Sequence, residues 1–199
     1  MGPERDYDVC EYEFKDGANS GQAEYWNTGD LRKFEAAALI IPYLKWYDAY
    51  AFFDDDLEAG TMRLNELFQI GMVHGWNVWQ PGIVGPTTFS FLRRQACFGF
   101  RPIHMVECQC PFFSRAALDA CLPTFTETQS GWGIDRLWPY FLAPNPNMAV
   151  VDCYPVRHTR PLTWGRGVTM PNGMTPAMEF EKVKIKWAAK GYYISDFIG

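Results

Sequence analysis

Three consecutive acids, Asp54-Asp55-Asp56, close the apolar run Ala49-Tyr50-Ala51-Phe52-Phe53. Carboxylates crowded together repel one another unless a cation or a proton compensates. At the carboxyl end of a strand, where ligands of α/β sheets bind, such a cluster suits Mg²⁺ or Mn²⁺. These hard ions take oxygen ligands and keep positions open for substrate phosphates. Asp54 and Asp56, two positions apart, are close enough to share one ion and its phosphate. The same run also suits a solvated acidic turn ahead of a helix. The strongly apolar strand feeding into it favours the ligand site.

Other residue types narrow the chemistry. Three histidines are present, His74, His104 and His158. His74 falls at a helix end, where a basic residue is favourable. Six cysteines (Cys10, Cys97, Cys108, Cys110, Cys121 and Cys153) contain no C-x-x-C pair. Cys108-Gln109-Cys110 fits no common zinc spacing, so reduced, mostly buried thiols are expected. Their even number leaves disulfides open. The net charge of −5 argues against a nucleic-acid binder, which needs a basic face. It agrees with a small-molecule enzyme whose anionic substrate is bridged by a metal. Aromatic residues, 17% of the chain, serve either the core or stacking on a ring-shaped ligand.

The elements that must position these residues are legible in outline. A short strand is expected within Asp6–Phe14, then a Gly/Asn/Ser-rich loop. Asp30 is placed to cap a helix reaching Ile40, ended by Pro42. Tyr47–Phe53 reads as a buried strand and Thr61–His74 as a helix with Gly75 as its stop. Trp76–Gln80 reads as a second strand. This strand-helix-strand order implies a parallel pair in an α/β sheet. Arg101–Pro111 reads as a strand ending in a turn. Ser114 caps a helix to about Cys121, and a glycine-led loop from Gly131 runs into a short helix ending near Phe141. Met148–Cys153 reads as a third buried strand and Trp164–Pro176 as a long loop. Glu179–Lys190 reads as an amphipathic helix whose lysines, Lys182, Lys184, Lys186 and Lys190, form a solvated face. No opening secretory pattern and no apolar run of membrane-spanning length are seen. A cytoplasmic protein without a transmembrane segment is expected, with peripheral or Golgi-type lumenal placement left open.

The segment Trp46–Glu58 resembles the strand and Asp-x-Asp motif of GT-A nucleotide-sugar glycosyltransferases. More narrowly, it is similar to a plant and microbial family of glycosyltransferase-like proteins. Further segments match in order: Trp79-Gln80-Pro81, Pro111–Ala117, Gly131-Trp132-Gly133-Ile134-Asp135, Val151-Asp152 and His158–Pro161. The resemblance runs over roughly Asp6–Pro161. It implies a GT-A-like, Rossmann-like fold: one α/β domain with a mixed, mostly parallel sheet flanked by helices. The catalytic unit would span 1–163, with 164–199 packed on it as a loop and helix. Only 53 residues precede Asp54, so a shortened nucleotide-binding strand unit is expected there.

The resemblance also assigns roles. Asp54, Asp55 and Gln80 would bind the donor nucleotide sugar. Asp56, Asp54 and His158 would hold Mn²⁺ or Mg²⁺, a Lewis acid for the departing nucleoside diphosphate. Asp135 would be the general base on the acceptor hydroxyl, with Trp132, Gly133 and Glu107 lining the acceptor side. The implied partners are a nucleotide sugar and a hydroxyl-bearing, carbohydrate-type acceptor. Two other functions compete. Phosphoryl or nucleotidyl transfer with two metals would need a second carboxylate on a neighbouring strand, for which Asp152 is the one good choice. A non-catalytic carbohydrate-binding or scaffold protein would keep the fold without donor binding.

Overall fold

Alternating apolar residues build the sheet, and helical spacing covers it. The computed structural model describes residues 5–14, 21, 23–44, 46–162 and 167–194. In chain order the elements are β1 (Cys10–Phe14), β2 (Tyr25–Gly29), α1 (Lys33–Ile40), β3 (Ala49–Ala51) and β4 (Leu57–Glu58). Then follow α2 (Thr61–His74), β5 (Val78–Val84), β6 (Phe100–Ile103), β7 (Phe112–Ser114), α3 (Arg115–Cys121), α4 (Trp138–Phe141), β8 (Met148–His158) and α5 (Pro176–Ala188). β1 and β2 form a separate parallel pair.

The main sheet runs β3-β7-β5-β8. The far edge of β8 is shared by β6, along Met148–Val151, and by β4, at Arg157 and His158. The result is one mixed α/β domain, but the expected mostly parallel sheet is corrected. Only β5 and β8 pair in parallel; every other pairing in this sheet is antiparallel. The helical crossover α2 does leave β3 and β5 pointing the same way. β7 then enters between them, antiparallel to both. The chain leaves β5 by a reversal through β6 rather than by a second crossover helix, and this reversal sets the antiparallel pairings. Arg101–Pro111 is likewise not one strand: β6 ends at Ile103 and β7 starts at Phe112.

Residue alternation assigns the two faces. Trp79, Phe112, Ala149 and Val151 face α2 and pack on Leu67. α2 approaches so closely that a Cβ on Gly71 would lie 2.0 Å from the Trp79 ring, and Trp79 Nε1 donates to Leu67 O at 2.8 Å. Val78, Phe113 and Met148 face the other way, against Phe34 of α1, Leu118 of α3 and Trp138 of α4. Fully burying each such side chain contributes about 1.5–3 kcal/mol.

Helix ends follow local rules with one exception. Gly75 terminates α2 in the left-handed conformation at φ 64, and Ser114 caps α3 by accepting from Ala117 N. α1 is capped at Arg32 and not at Asp30. Glu35 reaches back to accept from Arg32 N at 3.3 Å, which fixes the start two residues later. All six cysteines are free thiols. Cys110 and Cys121 are buried and Cys108 half-buried, but Cys10, Cys97 and Cys153 are exposed, correcting the expectation of mostly buried thiols. Among the described residues no helix is long and apolar enough to cross a membrane. The expected boundary between 163 and 164 lies outside the described residues.

Asp152 is a structural acid. Its side chain is fully buried and accepts from Arg101 Nε at 2.6 Å and from Gln95 N at 2.8 Å. This pair ties the β5–β6 excursion to β8. Breaking a buried pair from one side strands the other charge, so Asp152→Ala is expected to cost about 3–5 kcal/mol. Urea unfolding checks this: a midpoint unchanged from wild type would show the pair to be dispensable.

Candidate functional site

The acidic run sits at the C-terminal end of β3, and backbone pairing carries it to two partners. Beyond β3 the ladder continues, with Phe52 N donating to Pro111 O and Asp54 N to Gln109 O, both at 3.0 Å. This lays residues 107–109 beside Asp54. The chain then turns into β4, whose Leu57 pairs with His158 at the end of β8. Thr159 N and Oγ1 both donate to Asp56 O at 2.9 Å. Asp56 and His158, 102 residues apart, are thereby brought together, with Nε2 and Oδ2 3.0 Å apart.

The His158 ring is fixed from both sides. Nδ1 lies 2.8 Å from Pro86 O. A carbonyl can only accept, so Nδ1 carries a proton. Nε2 then faces a carboxylate and needs either a second proton or a cation to share with it. Asp56 Oδ1 is buried and has no hydrogen-bond partner among the described residues. One carboxylate and one imidazole fit Mn²⁺ or Mg²⁺ when phosphate and water oxygens complete the shell. Among the described residues no group of three or more His, Cys, Asp or Glu side chains converges as a metal cage.

Asp54, expected among the metal ligands, is paired with a cation of the protein itself. Its Oδ1 accepts from Lys33 Nζ at 2.5 Å, and the same ammonium donates to Cys108 O at 2.5 Å. Asp55 pairs with Arg160 at 3.0 Å on the exposed rim.

Asp54, Asp55, Asp56, Glu107, Trp132, Gly133, Asp135 and His158 all line one cleft of about 1670 Å³. Gln80 does not. It is fully buried, and its Oε1 accepts from Glu107 N at 2.8 Å. It sits on the sheet face behind the cleft wall, so its expected donor contact becomes a positioning role for Glu107. Asp152, locked to Arg101, is also absent from the lining, and the two-metal alternative loses its second carboxylate.

Two carboxyl groups in this cleft are held away from their usual range. Burial pushes Glu107 up to about 7, helped by the neighbouring Asp135 charge. Glu107 Oε2 has no hydrogen-bond partner among the described residues. Burial raises Asp135 to about 6, against the opposing pull of Arg136 and the Cys108 amide. Groups titrating near neutrality are suited to proton transfer. Cys108 follows Glu107 and its amide lies 3.4 Å from Asp135 Oδ2; burial drives its thiol far up, and Sγ donates to Gly131 O at 3.2 Å.

The loop carrying Trp132 and Asp135 is held by α5. Glu179 accepts from Gln129 N at 2.9 Å, Ser130 N at 2.8 Å and Asn172 Nδ2 at 2.7 Å. Burial opposes this charge, but the Ser130, Gln129 and Asn172 bonds outweigh it and hold the carboxyl below its ordinary value. Gly133 has φ +86, and a Cβ there would lie 2.4 Å from the Phe180 ring. Its glycine is therefore explained by backbone conformation and helix approach. Lys33 and Glu179 escaped the sequence reading. A lysine in the first turn of a helix opposes the macrodipole, and that misplacement is the readable signal for Lys33. Glu179 carried none, because its partners are backbone amides some 50 residues away.

The class defined by these features is a mixed α/β protein with an acidic cleft at the strand ends. No protein-family profile matches the chain, and no curated protein matches it.

Proposed function

We propose that the chain is a metal-dependent glycosyltransferase of GT-A-like fold, moving a sugar from a nucleoside-diphosphate sugar to a hydroxyl acceptor. The observation that carries the reading is the Asp56–His158 pair, joined across 102 residues in a cleft also lined by Asp135. Asp56 and His158 would hold the divalent ion. When bound, that ion supplies Lewis-acid stabilisation of the departing diphosphate. Asp135 accepts the proton of the acceptor hydroxyl. The oxygen forms the new bond to the sugar carbon as the phosphate oxygen leaves with its electron pair. Trp132 offers an apolar face for the C–H side of a sugar ring.

One observation favours a non-catalytic carbohydrate-binding protein instead. The segment before β3 forms its own two-stranded sheet and adds no strand to the main one among the described residues. Titration calorimetry of uridine and guanosine diphosphates, with and without Mn²⁺, separates the readings. Metal-dependent binding of either nucleotide is expected. A folded protein that binds neither would leave the non-catalytic reading standing.

A further inference from the structure

The cleft is lined with acids: Asp54, Asp55, Asp56, Glu107 and Asp135. An anionic ligand entering it requires cations besides any metal. Arg160 lines the rim, but it is committed to Asp55, and both side chains are largely exposed and screened by solvent. Lys33 also lines the cleft. Its side chain is only 24% exposed, and its ammonium lies between the acidic run and the Cys108–Gln109 backbone.

The hydrogen bonding of that ammonium is uneven. Nζ makes two short contacts, to Asp54 Oδ1 and Cys108 O, each at 2.5 Å. Its contact with Gln109 O, at 3.4 Å, is beyond the usual range for a good N–H···O bond. A ligand oxygen can replace that long contact without disturbing the two short ones. Helix stability does not explain the residue, because a cation at the first position of α1 opposes the dipole. A compact ammonium is also well suited to phosphate as a point charge.

We propose that Lys33 is a ligand-binding residue whose ammonium meets the phosphate-bearing part of the ligand from the α1 side of the cleft. The inference rests on reading the cleft as a nucleotide-sugar site. Lys33 then secures the anion while also tying Asp54 to the 107–109 segment. It accounts for why the first acid of the run is neutralised by the protein itself.

Calorimetry with inorganic pyrophosphate and with uridine and guanosine diphosphates, in metal-free buffer and with Mn²⁺, tests it on wild type, Lys33→Gln, Lys33→Met and Lys33→Arg. Gln retains a hydrogen-bond donor without the charge, so it carries the comparison if the Met variant does not fold. Metal-free pyrophosphate affinity is expected to fall about tenfold or more in the Gln and Met variants. Arg should keep most of it. Folded Gln or Met variants that bind pyrophosphate as tightly as wild type overturn the proposal. Wild type that binds pyrophosphate in a Lys33-dependent way but neither uridine nor guanosine diphosphate keeps Lys33 as an anion site and overturns the nucleotide reading. Nucleotide and pyrophosphate binding indifferent to Lys33 does the reverse.

Discussion

Asp56→Ala is expected to abolish Mn²⁺-dependent binding of nucleoside diphosphates, lowering affinity by roughly a hundredfold or more, since losing even an outer-shell partner of a metal costs 10–100-fold. The substitution is clean in structural terms. The Asp56 contacts that hold the turn, from Thr159 N and Oγ1, end on its backbone oxygen and survive truncation of the side chain. What disappears is the carboxylate facing His158 Nε2 and the buried Oδ1 that no donor serves. The imidazole alone, tethered through Nδ1 to Pro86 O, is a poor site for a hard ion. Calorimetry with and without Mn²⁺, alongside a thermal melt, reads the effect. Undiminished metal-dependent binding in the folded variant would remove Asp56 from the metal site.

Asp135→Asn is expected to leave nucleotide binding intact and to lower transfer by about 10²–10⁴-fold, the usual contribution of a general base. Asparagine keeps the size of the side chain and can still accept from Cys108 N, which lies 3.4 Å from Oδ2. It cannot take a proton. Only the ionised carboxyl works as a base, and burial places Asp135 at about 6. Transfer by the wild type should therefore rise with pH through that region. Glu107 titrates near 7, partly because Asp135 is negative beside it. Removing that charge makes Glu107 easier to ionise, so its carboxyl titration moves down in Asp135→Asn. Carbon-13 spectra of labelled carboxyl groups follow it directly. Transfer that persists in the variant would falsify the base assignment, whatever the spectra show.

These two residues mark how much was legible in advance. Acids following an apolar strand, and an aspartate behind Gly131-Trp132-Gly133, are local patterns, and both belong to one cleft. Gln80, assigned to the donor by resemblance alone, lies within β5 and outside the cleft lining. Alternation turned its side chain into the sheet's packed face, where it accepts from the Glu107 amide. Asp54 lies in the same cleft, but its pairing with Lys33, 21 residues earlier in another element, is written in no local pattern.

The sequence by itself determined the local elements: α2 with its glycine stop, the Ser114 cap, the short strand before the acids and the buried character of β8. Each follows from propensity, capping or periodicity acting over a few residues. Only the tertiary structure decided the strand order, the insertion of β7 between β3 and β5, and the pairing of Asp56 with His158. Those depend on which hydrogen-bonding edges meet after the chain reverses, and no short-range pattern encodes that choice. The same holds for charge: burial raises Asp135, and burial beside the Asp135 charge raises Glu107, properties of packing and not of residue type.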